Sequence, residues 1–152
     1  MITHCHRVYK GLMESMFTLH PTLLADTVEI TRWEVCRVLL MNDANYPWLI
    51  LVPARQGLSG LHELDGAGRS KVMDEITRAS NTLENTYDPE RINVAALGNM
   101  VEQLHIHVIA RFRDDPAWPA PVWGAVPKNE YDPDKLRSMT AKLKTLLEDP
   151  KT

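Results

Sequence analysis

Residues 103–108 read Gln-Leu-His-Ile-His-Val, and this alternation constrains the fold more than any other segment. A strand sends successive side chains to opposite faces, whereas a helix would scatter them around its circumference. The pattern predicts a strand from Gln103 to about Ala110. Leu104, Ile106 and Val108 share one face; Gln103, His105 and His107 share the other. The aliphatic face requires a core beneath it. The opposite face gathers an amide and two imidazoles, and imidazole near neutral pH is a nucleophile, a proton carrier and a metal ligand.

Other segments supply the rest of a sheet. Val35–Met41 and Trp48–Val52 are apolar runs joined by the turn-forming Asn42-Asp43-Ala44-Asn45, which predicts a hairpin stopped by Pro53. Glu29–Trp33 reads as a first short strand. Ile92–Leu97 reads as another, followed by a turn at Gly98-Asn99. A short helix is expected from Pro21, with the ring in its first turn. Asp65 can cap a long helix whose stripe is Val72, Ile76, Ala79 and Leu83, ended by Tyr87-Asp88-Pro89. Asp132-Pro133 opens a last helix that buries Leu136, Met139, Leu143, Leu146 and Leu147. Between 114 and 133 lie five of the ten prolines, with Trp118 and Trp123, so a stiff irregular loop is expected there. The sum is an α+β domain, mostly antiparallel sheet with a long helix and a C-terminal helix. Residues 1–16 read as an N-terminal extension, 17–113 as the main domain, and 114–152 as the loop and C-terminal helix packed on it.

Composition narrows the function classes. A chain of 152 residues, 44% apolar and 24% charged, fits one soluble domain. The net charge of −3 and the lack of a Lys/Arg run argue against a nucleic-acid partner. No apolar run reaches transmembrane length, and charged residues interrupt the first sixteen positions where a secretory segment would lie. Two cysteines, Cys5 and Cys36, are too few for a disulfide scaffold, so a reducing cytoplasm is expected.

The histidines alone leave several readings open. They suit hydrogen-bonded core positions, a His-x-His metal pair or a catalytic pair. The metal reading lacks a nearby third ligand, since no carboxylate follows His107 until Asp114. Arg111 and Arg113 share the histidine face and could meet a phosphate or end the strand in solvent. Trp118 and Trp123 could cover the sheet or wall a pocket. His4-Cys5-His6 offers too few ligands for a metal site.

The wider segment from Gly98 through Gln103-Leu104-His105-Ile106-His107-Val108-Ile109 resembles the histidine triad (HIT) superfamily, whose pattern is three histidines separated by single apolar residues. Val38–Asn42 and Trp48–Pro53 resemble that family's nucleotide-binding hairpin, and the likeness covers about residues 35–111. It implies a HIT-like fold and a nucleotide-binding hydrolase or nucleotidyl transferase acting at the α-phosphate of a nucleotide conjugate. Nucleotide phosphoramidates and dinucleoside polyphosphates are the substrate classes it suggests. By position, His105 matches the nucleophile that forms a nucleotidyl-histidine intermediate, and His107 matches the phosphate-contacting third histidine. Asn99 matches a phosphate-side polar residue, and Asn42 one that bonds ribose hydroxyls. Gln103 stands in place of the first histidine, among the catalytic and nucleotide-contacting positions. Trp48 stands where another histidine is frequent. An amide can hold a neighbour or a phosphate oxygen but cannot titrate. The resemblance further implies a homodimer and no cofactor or metal. The rivals are a nucleotide-binding module with little turnover and a metal-binding protein using His105 and His107.

Overall fold

A computed structural model describes residues 17–149, so the expectations for 1–16, including His4-Cys5-His6, lie outside the described residues. Five strands form one antiparallel sheet in the order β1-β2-β3-β5-β4. They are β1 (Thr27–Arg32), β2 (Cys36–Met41), β3 (Trp48–Pro53), β4 (Arg91–Ala95) and β5 (Ile106–Arg111). Among the described residues three helices accompany them, α1 (Pro21–Asp26), α2 (Gly66–Tyr87) and α3 (Pro133–Glu148), with a 3-10 turn at Leu61–Glu63. The α+β class and its antiparallel sheet, long helix and terminal helix are as the sequence predicts. Among the described residues no helix is long and apolar enough to cross a membrane.

The caps explain where the helices begin and end. The Asp65 carboxylate accepts from Gly68 N at 2.7 Å, satisfying one of the free amides at the start of α2. At the other end Asp88 turns left-handed, with φ of 48°, and Pro89 prevents continuation. Asp132 caps α3 by accepting from Asp134 N at 3.0 Å.

Both faces of the sheet are covered, so β3 and β5 are buried along their whole lengths. On one face, Val72, Ile76, Ala79 and Leu83 of α2 and Leu143 and Leu147 of α3 pack on Val38, Leu40, Leu49, Leu51, Ile106 and Val108. Each Val, Leu or Ile side chain among them contributes about 1.5–3 kcal/mol on full burial. The register of β1 on β2 slips between Glu29 and Thr31, and the unmatched Ile30 is buried in this same core. Glu75 is also buried on this side. Its carboxylate accepts from Val35 N and Cys36 N, each at 2.9 Å, and so ties α2 to the start of β2.

The other face is roofed by residues 17–26 and by the Pro/Trp-rich segment. Phe17, Leu19, Leu23, Ala117 and Val122 pack there on Leu39, Ile50 and Ile109. Arg111 anchors that roof. It is only 1% exposed and pairs with Asp115 through Nε at 2.7 Å and Nη2 at 3.1 Å. It also donates to Asn93 Oδ1 and to the Ala120 carbonyl, each at 2.8 Å. Of the two sequence readings for Arg111, the structure shows neither a solvated strand end nor a free phosphate ligand. Arg113, the second arginine, is exposed and pairs with Glu90 at 2.6 Å.

Candidate functional site

Strand β5 starts at Ile106, not at the expected Gln103. The physical reason is loss of partners: β4 ends at Ala95, opposite His107, and the β3 pairing ends with Leu51 opposite Ile106. Leu104 N instead donates to Leu58 O at 2.8 Å. The alternation survives without the ladder. Leu104, Ile106 and Val108 lie in the helix-side core, while His105 and His107 stand together on the opposite face with ring centroids 4.8 Å apart.

That face opens into a cavity of about 380 Å³ that both histidines line. Met41, Trp48 and Ile50 form its floor from the sheet. Thr22, Leu23 and Asp26 of α1 and Trp123 of the Pro/Trp segment form its walls, and Leu97 to Val101 its rim. Of the two tryptophans left open by the sequence, Trp123 is thus a wall, and Trp118 lies beside Arg111 with its ring centroid 5.8 Å from the guanidinium carbon. His105 also borders a second cavity of about 420 Å³, lined by Ser59 to His62 and Ala96 to Gly98.

Hydrogen bonds assign the two tautomers. His105 Nδ1 lies 2.7 Å from the Gln103 carbonyl oxygen. A carbonyl only accepts, so Nδ1 carries the proton and Nε2 of the neutral ring keeps its lone pair. The Trp48 indole donates to His107 Nδ1 at 3.0 Å. An indole N–H only donates, so His107 Nδ1 is the acceptor and its proton sits on Nε2. Burial pushes the His107 imidazole down to about 4, and the neighbouring His105 adds to the shift. The pair therefore presents a lone pair on one ring and a neutral N–H donor on the other.

The remaining predicted residues separate. Asn99 lines the histidine cavity. Asn42 is not among its wall residues; its carboxamide oxygen accepts from Tyr131 N at 3.1 Å and its backbone N–H donates to the Asp26 carbonyl at 2.9 Å. Gln103 does not join the histidines either. Its Nε2 donates to Thr18 O at 2.9 Å and its Oε1 accepts from His20 N at 2.8 Å, so both ends are bound to the segment leading into α1. Gln103 lines a separate cavity of about 330 Å³ with Thr18 to Pro21 and Gln56 to Ser59. Among the described residues no group of three or more His, Cys, Asp or Glu could hold a metal ion. Sequence reasoning missed the α1 wall and the Ser59–His62 flank. Pro21 signals a helix but not where it docks, and nothing local marks the flank.

The HIT domain family matches residues 24–114 of this chain. Solved structures agree. A histidine triad protein from Marinobacter aquaeolei VT8 is 44% identical, with a TM-score of 0.84 over 88% of this chain and 97% of that chain. One from Bradyrhizobium japonicum is 39% identical, with a TM-score of 0.83 over 86% of this chain and 98% of that chain. A histidine triad (HIT) protein from Sinorhizobium meliloti 1021 is 38% identical, with a TM-score of 0.83 over 86% and 96%. No curated protein matches the chain.

Proposed function

Because the chain belongs to the HIT family, a superfamily of nucleotide-binding hydrolases and transferases, we propose that it cleaves nucleotide conjugates at the α-phosphate through a covalent nucleotidyl-His105. The observation that carries this reading is the complementary tautomer pair on one cavity face. His105 Nε2 has the lone pair to attack phosphorus. His107 Nε2–H donates to a non-bridging oxygen, where negative charge concentrates in the transition state. A neutral donor serves because it is fixed before substrate arrives. The apolar floor and wall of Met41, Trp48, Ile50 and Leu23 suit the flat face of a base. Asn99 reaches the phosphate side from the rim. Asn42 acts on the sugar side indirectly, by holding the Asp26 backbone and the Tyr131 segment in place. Water then releases the nucleoside monophosphate from His105, without a metal.

A homodimer is part of the same reading. Strand β4 is a sheet edge, and Val94, Leu97 and Met100 beside it are exposed, Met100 at 94%. The decisive experiment incubates the protein with adenosine phosphoramidate and with dinucleoside polyphosphates, with and without chelator, and measures AMP. His105→Ala should cut turnover by about 4 kcal/mol or more in barrier while nucleotide still binds. AMP release by that variant near the wild-type rate would remove His105 from the chemistry. Tight binding with no release by the wild type would instead favour a binding module.

A further inference from the structure

We propose that His62 is the proton donor to the leaving group, acting from the second cavity that His105 borders; this rests on the nucleotidyl-transfer reading above. Expelling an amine or an alkoxide from phosphorus requires a proton on the departing atom. The groups already placed do not have one to give. His105 keeps its proton on Nδ1 against the Gln103 carbonyl, and its Nε2 forms the bond to phosphorus. His107 carries a single proton, because the Trp48 N–H occupies the other nitrogen; surrendering it would leave an imidazolate. The Gln103 amide does not titrate and is bound at both ends. Among the described residues lining the two cavities that His105 borders, two titratable side chains remain, Asp26 and His62. Asp26 accepts from Lys128 Nζ at 3.0 Å, in the nucleotide cavity. His62 lines the other cavity that His105 borders, and that cavity is assigned to the leaving group.

The local structure places the His62 ring. The 3-10 turn Leu61–Glu63 carries it, and Gly60 makes room for it. A Cβ on Gly60 would stand 2.4 Å from His62 Cε1 and 2.6 Å from Nδ1, so the imidazole rests directly on the glycine. The steps balance. As His105 Nε2 bonds to phosphorus, the bond to the leaving atom breaks, its electron pair stays with that atom, and imidazolium His62 protonates it. Neutral His62 then takes the proton of the water that attacks phosphorus. The P–Nε2 bond breaks with its electrons returning to His105, and both rings are restored.

The test compares two adenylates, a phosphoramidate with an alkylamine leaving group and the p-nitrophenyl ester, whose phenolate departs without a proton. His62→Gln should lower kcat/KM for the amine substrate by about 100-fold or more, the scale of general-acid catalysis, and for the nitrophenyl ester by only a few-fold. Gly60→Ala, whose extended backbone admits alanine, should displace the ring and reproduce a smaller loss with the same selectivity. Equal losses on both substrates, or none on either, would overturn the assignment of His62. Wild-type protein inert on both substrates would overturn the nucleotidyl-transfer reading, and His62 with it.

Discussion

The indole N–H of Trp48 reaches His107 Nδ1 at 3.0 Å, and this one donor decides which proton His107 carries. Protonating Nδ1 would set two N–H groups against each other, on a ring already disfavoured as a cation by burial and by His105. Trp48→Phe keeps an aromatic ring but removes the donor. His107 should then titrate higher than about 4, moving toward its ordinary 6.5. NMR titration of the ring protons reads this directly, and an unmoved midpoint would mean that burial and His105 set it without the indole. The histidine pair is legible in the sequence because side-chain alternation outlasts the strand ladder, from Ile106 back through Leu104. The Trp48 contact is not. It lies diagonally across the β3–β5 register, in which Trp48 faces Ile109 and Ile50 faces His107, and neither strand's sequence states that register.

At the scale of elements, the histidine strand and the segment leading into α1 are one unit. Gln103 bonds the backbone of Thr18 and His20, Gln56 Oε1 accepts from Thr18 N at 3.2 Å, and α1 then supplies Thr22, Leu23 and Asp26 to the cavity wall. The Gln103 side chain, which cannot titrate, therefore commits both ends to backbone bonds. Gln103→Ala should weaken nucleotide binding by about 1–2 kcal/mol, the scale of two interrupted hydrogen bonds. It should also speed hydrogen exchange at the His20 amide, and cost much less in kcat than His105→Ala. A kcat loss as deep as that of His105→Ala would make Gln103 a catalytic group. The sequence shows that Gln103 cannot relay a proton. It does not show the bond partners, which lie 83 and 85 residues away. Helices α2 and α3 are legible in advance because their caps, Asp65 and Asp132, are local signals.

For the molecule as a whole, the histidine face is a polar layer enclosed by two roofs, and its enclosure couples stability to pH. Arg111 and Asp115 hold one roof. Burial alone would raise the Asp115 carboxyl, but the Arg111 guanidinium and the Phe112 and Ala117 amides outweigh it and hold it below the ordinary carboxylate range. That contribution is present above the unfolded carboxyl pKa and is lost only as pH falls through the lowered folded value, so it stays in place until strongly acid conditions. His107 acts at milder pH. Its folded pKa, about 4, lies below the unfolded 6.5, so between these values the unfolded chain binds a proton that the folded chain refuses. Stability is therefore full above about pH 6.5 and declines as pH falls toward 4, by about 3 kcal/mol at 1.36 kcal/mol per unit. His107→Gln removes the titration while keeping an amide that can accept from Trp48. Denaturant unfolding of both proteins at intervals from pH 7 to about pH 4 should show the wild type losing about 3 kcal/mol more than the variant. Parallel decline of the two curves would place the acid sensitivity elsewhere and would mean that the buried imidazole is readily protonated in the folded protein. His107 would then meet the phosphate as a cation rather than as the neutral donor fixed by Trp48.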